Sequence, residues 1–185
     1  MRTIANMTKG QLRMYLRRFL REETVPGSIV GYTKLNNNNQ STDGTVDVPD
    51  NYTTISANHK ISFVAPDTGN VEINFKGYYA GVDTSDHNNN LYLALSTAET
   101  FSSLHSKYEK HAWEADEDDN IIVDLAWFLT DLTPFTQYTY WIGHKALFTG
   151  DYTHMYGGFN SGERPDCIIK AIALPRTLKI TTDIS

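Results

Sequence analysis

The sequence predicts an all-β protein, an antiparallel jelly-roll-like β-sandwich preceded by one amphipathic α-helix. Short segments of alternating apolar and polar residues recur between Thr45 and Leu174, and turn residues separate them. The chain contains 8 Phe, 11 Tyr and 3 Trp, which favour the half-buried surfaces of strands. Eight or more short strands without an intervening helix are typical of a closed or two-sheet antiparallel architecture.

The one predicted helix lies within residues 1–24. Thr8 and Gln11 have the spacing of a capping box, and Pro26-Gly27 would end the helix. Between them an apolar stripe recurs at helical spacing, formed by Leu12, Tyr15, Leu16, Phe19 and Leu20. Such a short helix is marginal alone in water, so the stripe needs a surface to cover it.

Three interpretations of this helix remain open: packing on its own β domain, docking into another subunit or assembly, and lying on a membrane surface. Docking is favoured because residues 1–24 carry a net charge of about +4, which leaves about −10 for the rest of a chain of net charge −6. An acidic body argues against nucleic-acid binding. The predicted partner-binding residues are Leu12, Tyr15, Leu16, Phe19, Arg13 and Arg17.

The predicted domain organisation follows the composition. Residues 1–24 form the anchoring helix, 25–50 a polar linker in which Val25–Leu35 supply a short strand, and 51–185 the β-sandwich. Cys167 is the single cysteine, so an internal disulfide is excluded and stability must come from packing or subunit association. No apolar run has the length of a membrane span or a signal peptide, so we expect assembly in the cytoplasm and no membrane insertion.

Within the body, each predicted strand has one apolar face. Val71, Ile73 and Phe75 alternate with polar residues most clearly. The same alternation predicts further strands with the apolar sets Ile61, Phe63 and Ala65; Leu91, Leu93 and Leu95; and Ile121, Val123, Leu125, Trp127 and Leu129. Residues 152–156 and 167–174 supply two more strands. The interval 97–112 is ambiguous, a loop with a short strand near Tyr108.

The stretch LTDLTPFTQYTYWIGHKALF, residues 129–148, predicts a turn at Pro134 followed by a strand. Tyr138, Tyr140 and Ile142 share one parity, whereas Thr139, Trp141 and Lys145 share the other. A tyrosine four residues after such a proline resembles the tyrosine corner of β-sandwich domains, whose hydroxyl bonds back to the preceding backbone. Tyr138 is the candidate for that role.

Motifs of catalysis or metal binding are absent from the sequence. The six histidines have no HxH or HExxH spacing, no GxSxG elbow occurs, and His144 is interpreted as a structural residue. The acidic residues Asp116, Asp118 and Asp119 are a weak candidate for a calcium site, and a solvated acidic turn between strands explains them as well. Trp113 beside them would suit a sugar ring if exposed. We therefore predict no catalytic residue and no cofactor.

Two family resemblances arise from particular residues. LTPFTQYTYWI alone resembles the penultimate strand of fibronectin type III domains, although the body is longer than that module. A broader resemblance rests on ISFVAPDTGNVEINFKGYY, NNLYLALS, LTDLTPFTQYTYWIGHKALF, MYGG and PDCIIKAIALP. Together these resemble the β-sandwich modules of bacteriophage tail-fibre, collar or capsid-decorating proteins, some similar in fold to trimeric tumour-necrosis-factor or C1q heads. The resemblance implies a homotrimeric virion protein and no catalytic residues.

The leading expectation is thus a non-enzymatic structural component of a phage-like virion. Its N-terminal helix would dock to other virion proteins, and its sandwich would form an oligomeric head. The alternative is a carbohydrate-binding module that recognises host surface glycan through exposed Trp or Tyr. A cupin-like enzyme would need clustered His and Glu ligands, which the spacing does not provide.

Overall fold

The computed structural model describes residues 25–35, 45–81, 89–101, 110–115, 120–146, 152–155 and 166–176. Within these ranges every regular element is a strand. The strands are β1 (Ile29–Leu35), β2 (Thr45–Asp47), β3 (Thr53–Thr54), β4 (Lys60–Val64), β5 (Val71–Gly81), β6 (Asn89–Ser96), β7 (Lys110–Ala115), β8 (Asn120–Leu129), β9 (Gln137–Ala146), β10 (Tyr152–Met155) and β11 (Cys167–Ala173). The prediction of an all-β antiparallel body is confirmed.

The described strands form two antiparallel sheets. Sheet A has the order β1-β11-β5-β8. The short strand β10 pairs with the C-terminal end of β5, on the same edge as β11. The other edge of β10 pairs with β2. Sheet B has the order β4-β9-β6-β7, and β3 pairs with β9 beyond the end of β4. The central strands β5 and β9 are therefore paired along both edges, which satisfies their backbone hydrogen bonds.

One hydrophobic cluster receives side chains from both sheets. Its largest fully buried members include Trp127, Phe75, Ile73 and Leu129 from sheet A and Ile61, Leu91, Leu93, Leu95 and Ile142 from sheet B. The alternation predicted for these strands is confirmed. Among the apolar residues predicted for β8, Leu125 is partly buried and the others are buried. Burial of a side chain of this size contributes about 1.5–3 kcal/mol, so these inward sets supply most of the driving force for pairing the sheets.

The segment predicted as a linker contributes to sheet A. The predicted short strand is present as β1, which pairs with β11, and Leu35 is 5 % exposed in the core. β2 pairs with β10. The ambiguous interval holds β7 from Lys110 onward, paired with β6. The predicted helix of residues 1–24 and the polar stretch 36–44 lie outside the described residues.

The tyrosine corner predicted at Tyr138 is confirmed. The backbone N–H of Thr133 donates to the Tyr138 hydroxyl at 3.0 Å. The Tyr138 ring stacks with Phe63, its cross-strand partner, at 6.2 Å and with Tyr140 at 6.4 Å between centroids. This bond joins the turn, in which Phe135 has a φ of 62°, to the beginning of β9.

Removing the hydroxyl in Tyr138→Phe should lower the free energy of unfolding by about 1 kcal/mol, the usual contribution of a hydrogen bond to a backbone donor. The ring contacts with Phe63 would remain. Urea denaturation is the measurement, and Tyr32→Phe, whose parent ring is 52 % exposed, is the matched control. Equal stabilities for the two variants would show that the corner bond contributes nothing.

Candidate functional site

Most site residues predicted from the sequence lie outside the described residues. They comprise the helix residues Leu12, Arg13, Tyr15, Leu16, Arg17 and Phe19 and the calcium candidates Asp116, Asp118 and Asp119. Trp113 is in β7, where it pairs with Leu91 in the ladder. In the described part of the chain, no three His, Cys, Asp or Glu side chains converge as they would around a metal ion.

Two buried histidines occupy the sheet B side of the core. His59 and His144 are both fully buried, and desolvation lowers the pKa of each to about 3. The Ser56 hydroxyl lies 2.7 Å from Nδ1 of His59, and the His144 ring meets Tyr79 edge-on at 6.2 Å. Both imidazoles are therefore neutral at pH 7, which fits the structural role predicted for His144 and does not suit a general base exchanging protons with solvent.

A groove of about 570 Å³ opens where the edges of the two sheets meet. We call it the seam groove. β1 contributes Tyr32, Thr33 and Leu35, and the start of β4 with its preceding turn contributes Asn58, Lys60 and Ser62. Leu35 is buried, whereas Tyr32, Asn58, Lys60 and Ser62 are exposed, so the groove has an apolar floor and polar walls.

The seam groove exists because β1 and β4 approach closely at Gly31. A Cβ atom there would lie 2.8 Å from the Ser62 carbonyl oxygen and 3.1 Å from the Phe63 Cβ. Only glycine permits this approach, a common use of glycine inside a strand. Two residues further along each strand, the Thr33 hydroxyl donates to the Lys60 carbonyl oxygen at 2.8 Å. These contacts hold the two walls together.

The two lysines near the groove have different surroundings. Lys34 forms an ion pair with Asp166 at 2.6 Å, and that hydrogen bond raises the pKa of its ammonium group. Lys60 instead lies over the Trp141 ring, with Nζ 5.7 Å from the centroid. Among the described residues no carboxylate pairs with Lys60, so its positive charge is available to a ligand.

Trp141 begins an aromatic row on the outer face of sheet B. Next along this face, Lys145 lies over Tyr52 at 4.7 Å and over Tyr92 at 5.0 Å. Tyr52 stacks with Phe101 at 6.2 Å, and Phe101 covers Gly143, where an added Cβ would collide with the ring. Trp141, Tyr52, Tyr92 and Phe101 are each partly buried.

The outer face of sheet A is the second candidate surface. Ile122 and Phe128 on β8 are 57 % and 54 % exposed, and Ile29 on β1 is 56 % exposed. Partly buried Ile168 and Ile172 lie between them on β11. The middle of the face is polar and contains a hollow of about 110 Å³ lined by Asn74, Lys76, Asp124, Ile168 and Lys170.

Comparison with known proteins gives no assignment. No protein-family model matches the chain, and no curated protein sequence matches it. None of the described residues forms a helix long and apolar enough to cross a bilayer. Function must therefore be inferred from the surfaces described above.

Sequence reasoning missed the seam groove. Tyr32 and Lys60 come from strands that lie in different sheets, and no local motif joins them. One signal was present: Gly31 interrupts an otherwise apolar and β-branched strand, which suggests that another backbone approaches there. By contrast, the alternation of β9 placed Trp141 and Lys145 together on the face opposite Tyr140, and this prediction is confirmed.

Proposed function

We propose that this chain is a non-enzymatic structural component of a phage-like virion, such as a tail-fibre, collar or decoration protein. Its β domain is a jelly-roll-like sandwich that self-associates as a homotrimer through the outer face of sheet A. Its N-terminal segment docks to other virion proteins through the apolar and basic residues predicted above, among them Leu16 and Arg17. The outer face of sheet A is the observation that carries this proposal.

The strand order supports the jelly-roll assignment. In a jelly roll a long hairpin of eight strands folds over on itself, so the first strand pairs with the last and each later strand with its counterpart from the end. Setting aside the short strands β2, β3 and β10, that rule requires the pairs β1–β11, β4–β9, β5–β8 and β6–β7. All four pairs occur, and they divide between two sheets as the rule requires.

The outer face of sheet A has the composition of a subunit interface. Single exposed apolar residues are ordinary on protein surfaces, but here Ile29, Ile172 and Phe128 lie in one cross-strand row interrupted only by Glu72. Ile122 lies beside Tyr78 at the other end of the face, beyond its polar middle. Burying one half-exposed Phe or Ile contributes of order 1 kcal/mol, so several together favour association.

A second copy of the chain fits this face better than an unrelated partner because the face carries both signs of charge. Lys76 is the cross-strand neighbour of Asp124, and Lys170 lies one strand away from Glu72 across the same face. In a three-fold oligomer one part of this face meets a different part of the same face on the next copy, so a face that carries both signs can place a positive part against a negative part. Association would also supply the stability that the single, buried Cys167 cannot supply through a disulfide.

Phe128→Glu and Ile122→Glu test the face directly. Each places a carboxylate where the proposal buries a side chain, so we expect the trimer to dissociate at micromolar protein concentration, measured by sedimentation velocity. Val64→Glu is the matched control, because Val64 is 52 % exposed on the other sheet. Trimers that survive both sheet A substitutions, or dissociate equally with Val64→Glu, would rule out this face. Mass spectrometry of purified particles would test the virion assignment separately.

A further inference from the structure

The seam groove has the size and lining of a small-molecule site. Ligand pockets typically enclose about 300–1,000 Å³, and this groove of about 570 Å³ lies within that range. Such sites combine an apolar surface with a few polar groups that fix orientation. Here Tyr32 and Leu35 supply apolar surface, and Asn58, Lys60 and Ser62 supply an amide, an ammonium group and a hydroxyl.

The lining suits a sugar ring in particular. A pyranose has one face of C–H groups and an edge of hydroxyls, so it needs an aromatic ring on one side and donors and acceptors at its rim. Tyr32 is 52 % exposed and presents its ring at the groove wall. The Asn58 side chain is exposed and has no intramolecular hydrogen bond to a described group, so its amide can both donate to and accept from ring hydroxyls.

The charge at the groove selects among sugars. Lys60 lines the groove and is a cation without a carboxylate partner among the described residues, and its Nζ lies 5.7 Å from the centroid of the Trp141 ring. The other groove-side lysine, Lys34, is already paired with Asp166. One available ammonium suits one carboxylate, whereas a phosphate group calls for several donors and a higher positive charge.

We propose that the seam groove binds a saccharide bearing one carboxylate. Tyr32 stacks on the ring, Lys60 pairs with the carboxylate, and Asn58 hydrogen-bonds to the hydroxyl edge. Tyr32 is also the cross-strand neighbour of Lys170 on the outer face of sheet A, so sedimentation velocity of each variant must show whether a change in ligand affinity accompanies a change in association.

A matched pair of ligands tests the proposal on the full chain. Methyl β-glucuronide and methyl β-glucoside differ only in carboxylate against hydroxymethyl, and NMR chemical-shift titration detects millimolar binding. We expect the glucuronide to bind at least about fivefold more tightly, with shifts at Tyr32, Asn58 and Lys60. Lys60→Gln should lower the glucuronide affinity to about that of the glucoside, whereas Tyr32→Ala should weaken both ligands at least about fivefold.

The control is Arg176→Gln, which removes an exposed cation that pairs with Asp67 and does not line the groove. This variant should bind both ligands as the parent does. Absence of shifts at tens of millimolar ligand would overturn the proposal. Chemical shifts of equal size with acetate would show that the groove binds anions without recognising the sugar. A preference for the glucuronide that persists in Lys60→Gln would show that Lys60 does not bind the carboxylate.

Discussion

The free energy of unfolding should fall steeply as the pH is lowered from about 6.5 toward 5. His59 and His144 have a folded-state pKa of about 3 because burial disfavours the charged imidazole, whereas an unfolded histidine titrates near 6.5. Between these values the unfolded chain binds two more protons than the folded chain. Protonation therefore favours unfolding, and stability is lost as the pH falls and is restored as it rises.

The expected slope approaches about 2.7 kcal/mol per pH unit for two histidines, and the loss from pH 7 to pH 5 is about 4 kcal/mol. That is a large part of the stability of an ordinary domain. Urea denaturation at fixed protein concentration measures it, in a pH range where most carboxylates stay ionised. His144→Gln should halve the slope, whatever its effect on absolute stability. A stability that is flat from pH 6.5 to 5 would contradict the burial of both rings.

Gly69→Ala should lower the free energy of unfolding by about 3 kcal/mol or more. Gly69 has a φ of 70°, and its added Cβ would lie 2.5 Å from the Leu132 carbonyl oxygen. The strained backbone alone costs about 1 kcal/mol, and relief of the clash must move the Leu132 backbone, whose N–H donates to the Gly69 carbonyl at 3.0 Å. The turn between β4 and β5 and the chain after β8 meet at this contact, so both would shift.

Gly27→Ala separates the two causes. Gly27 has a φ of 90°, yet an added Cβ would meet nothing within 4 Å. In this variant the free energy of unfolding should fall by only about 1 kcal/mol, the cost of the strained backbone conformation. The difference between the two variants, measured by chemical denaturation, is the energy of the Gly69–Leu132 contact. Equal losses at the two glycines would show that the contact is loose.

The alternation of apolar and polar residues predicted most of the strands, but it did not indicate which strands pair with each other. The pattern of Val71, Ile73 and Phe75 fixes which side of β5 is buried, because side chains alternate strictly across a sheet. The Tyr138 corner was likewise predictable, since its proline, turn and tyrosine are close in sequence. The pairing of β1 with β11 joins residues at opposite ends of the body, and nothing in either segment specifies that choice.

The candidate site depends on such distant pairings. Tyr52 and Phe101 belong to the aromatic row but come from segments outside β9. The alternation within β9 predicted the position of Trp141 and could not predict these two residues. Lys60 shows no binding motif in sequence, and its position beside Tyr32 in the groove follows only from the approach of β4 to β1. Surfaces assembled from separate strands need the topology before their chemistry can be interpreted.

The mass in solution of the full chain, beside a chain that begins at Val25, tests the central claim most directly. The second chain keeps β1 and therefore keeps sheet A intact. If the outer face of sheet A drives association, light scattering at pH 7 should give both chains three times their own mass, with 20.9 kDa for the full-length monomer. A monomeric chain from Val25, whether or not the full chain associates, would contradict the claim that sheet A forms the trimer.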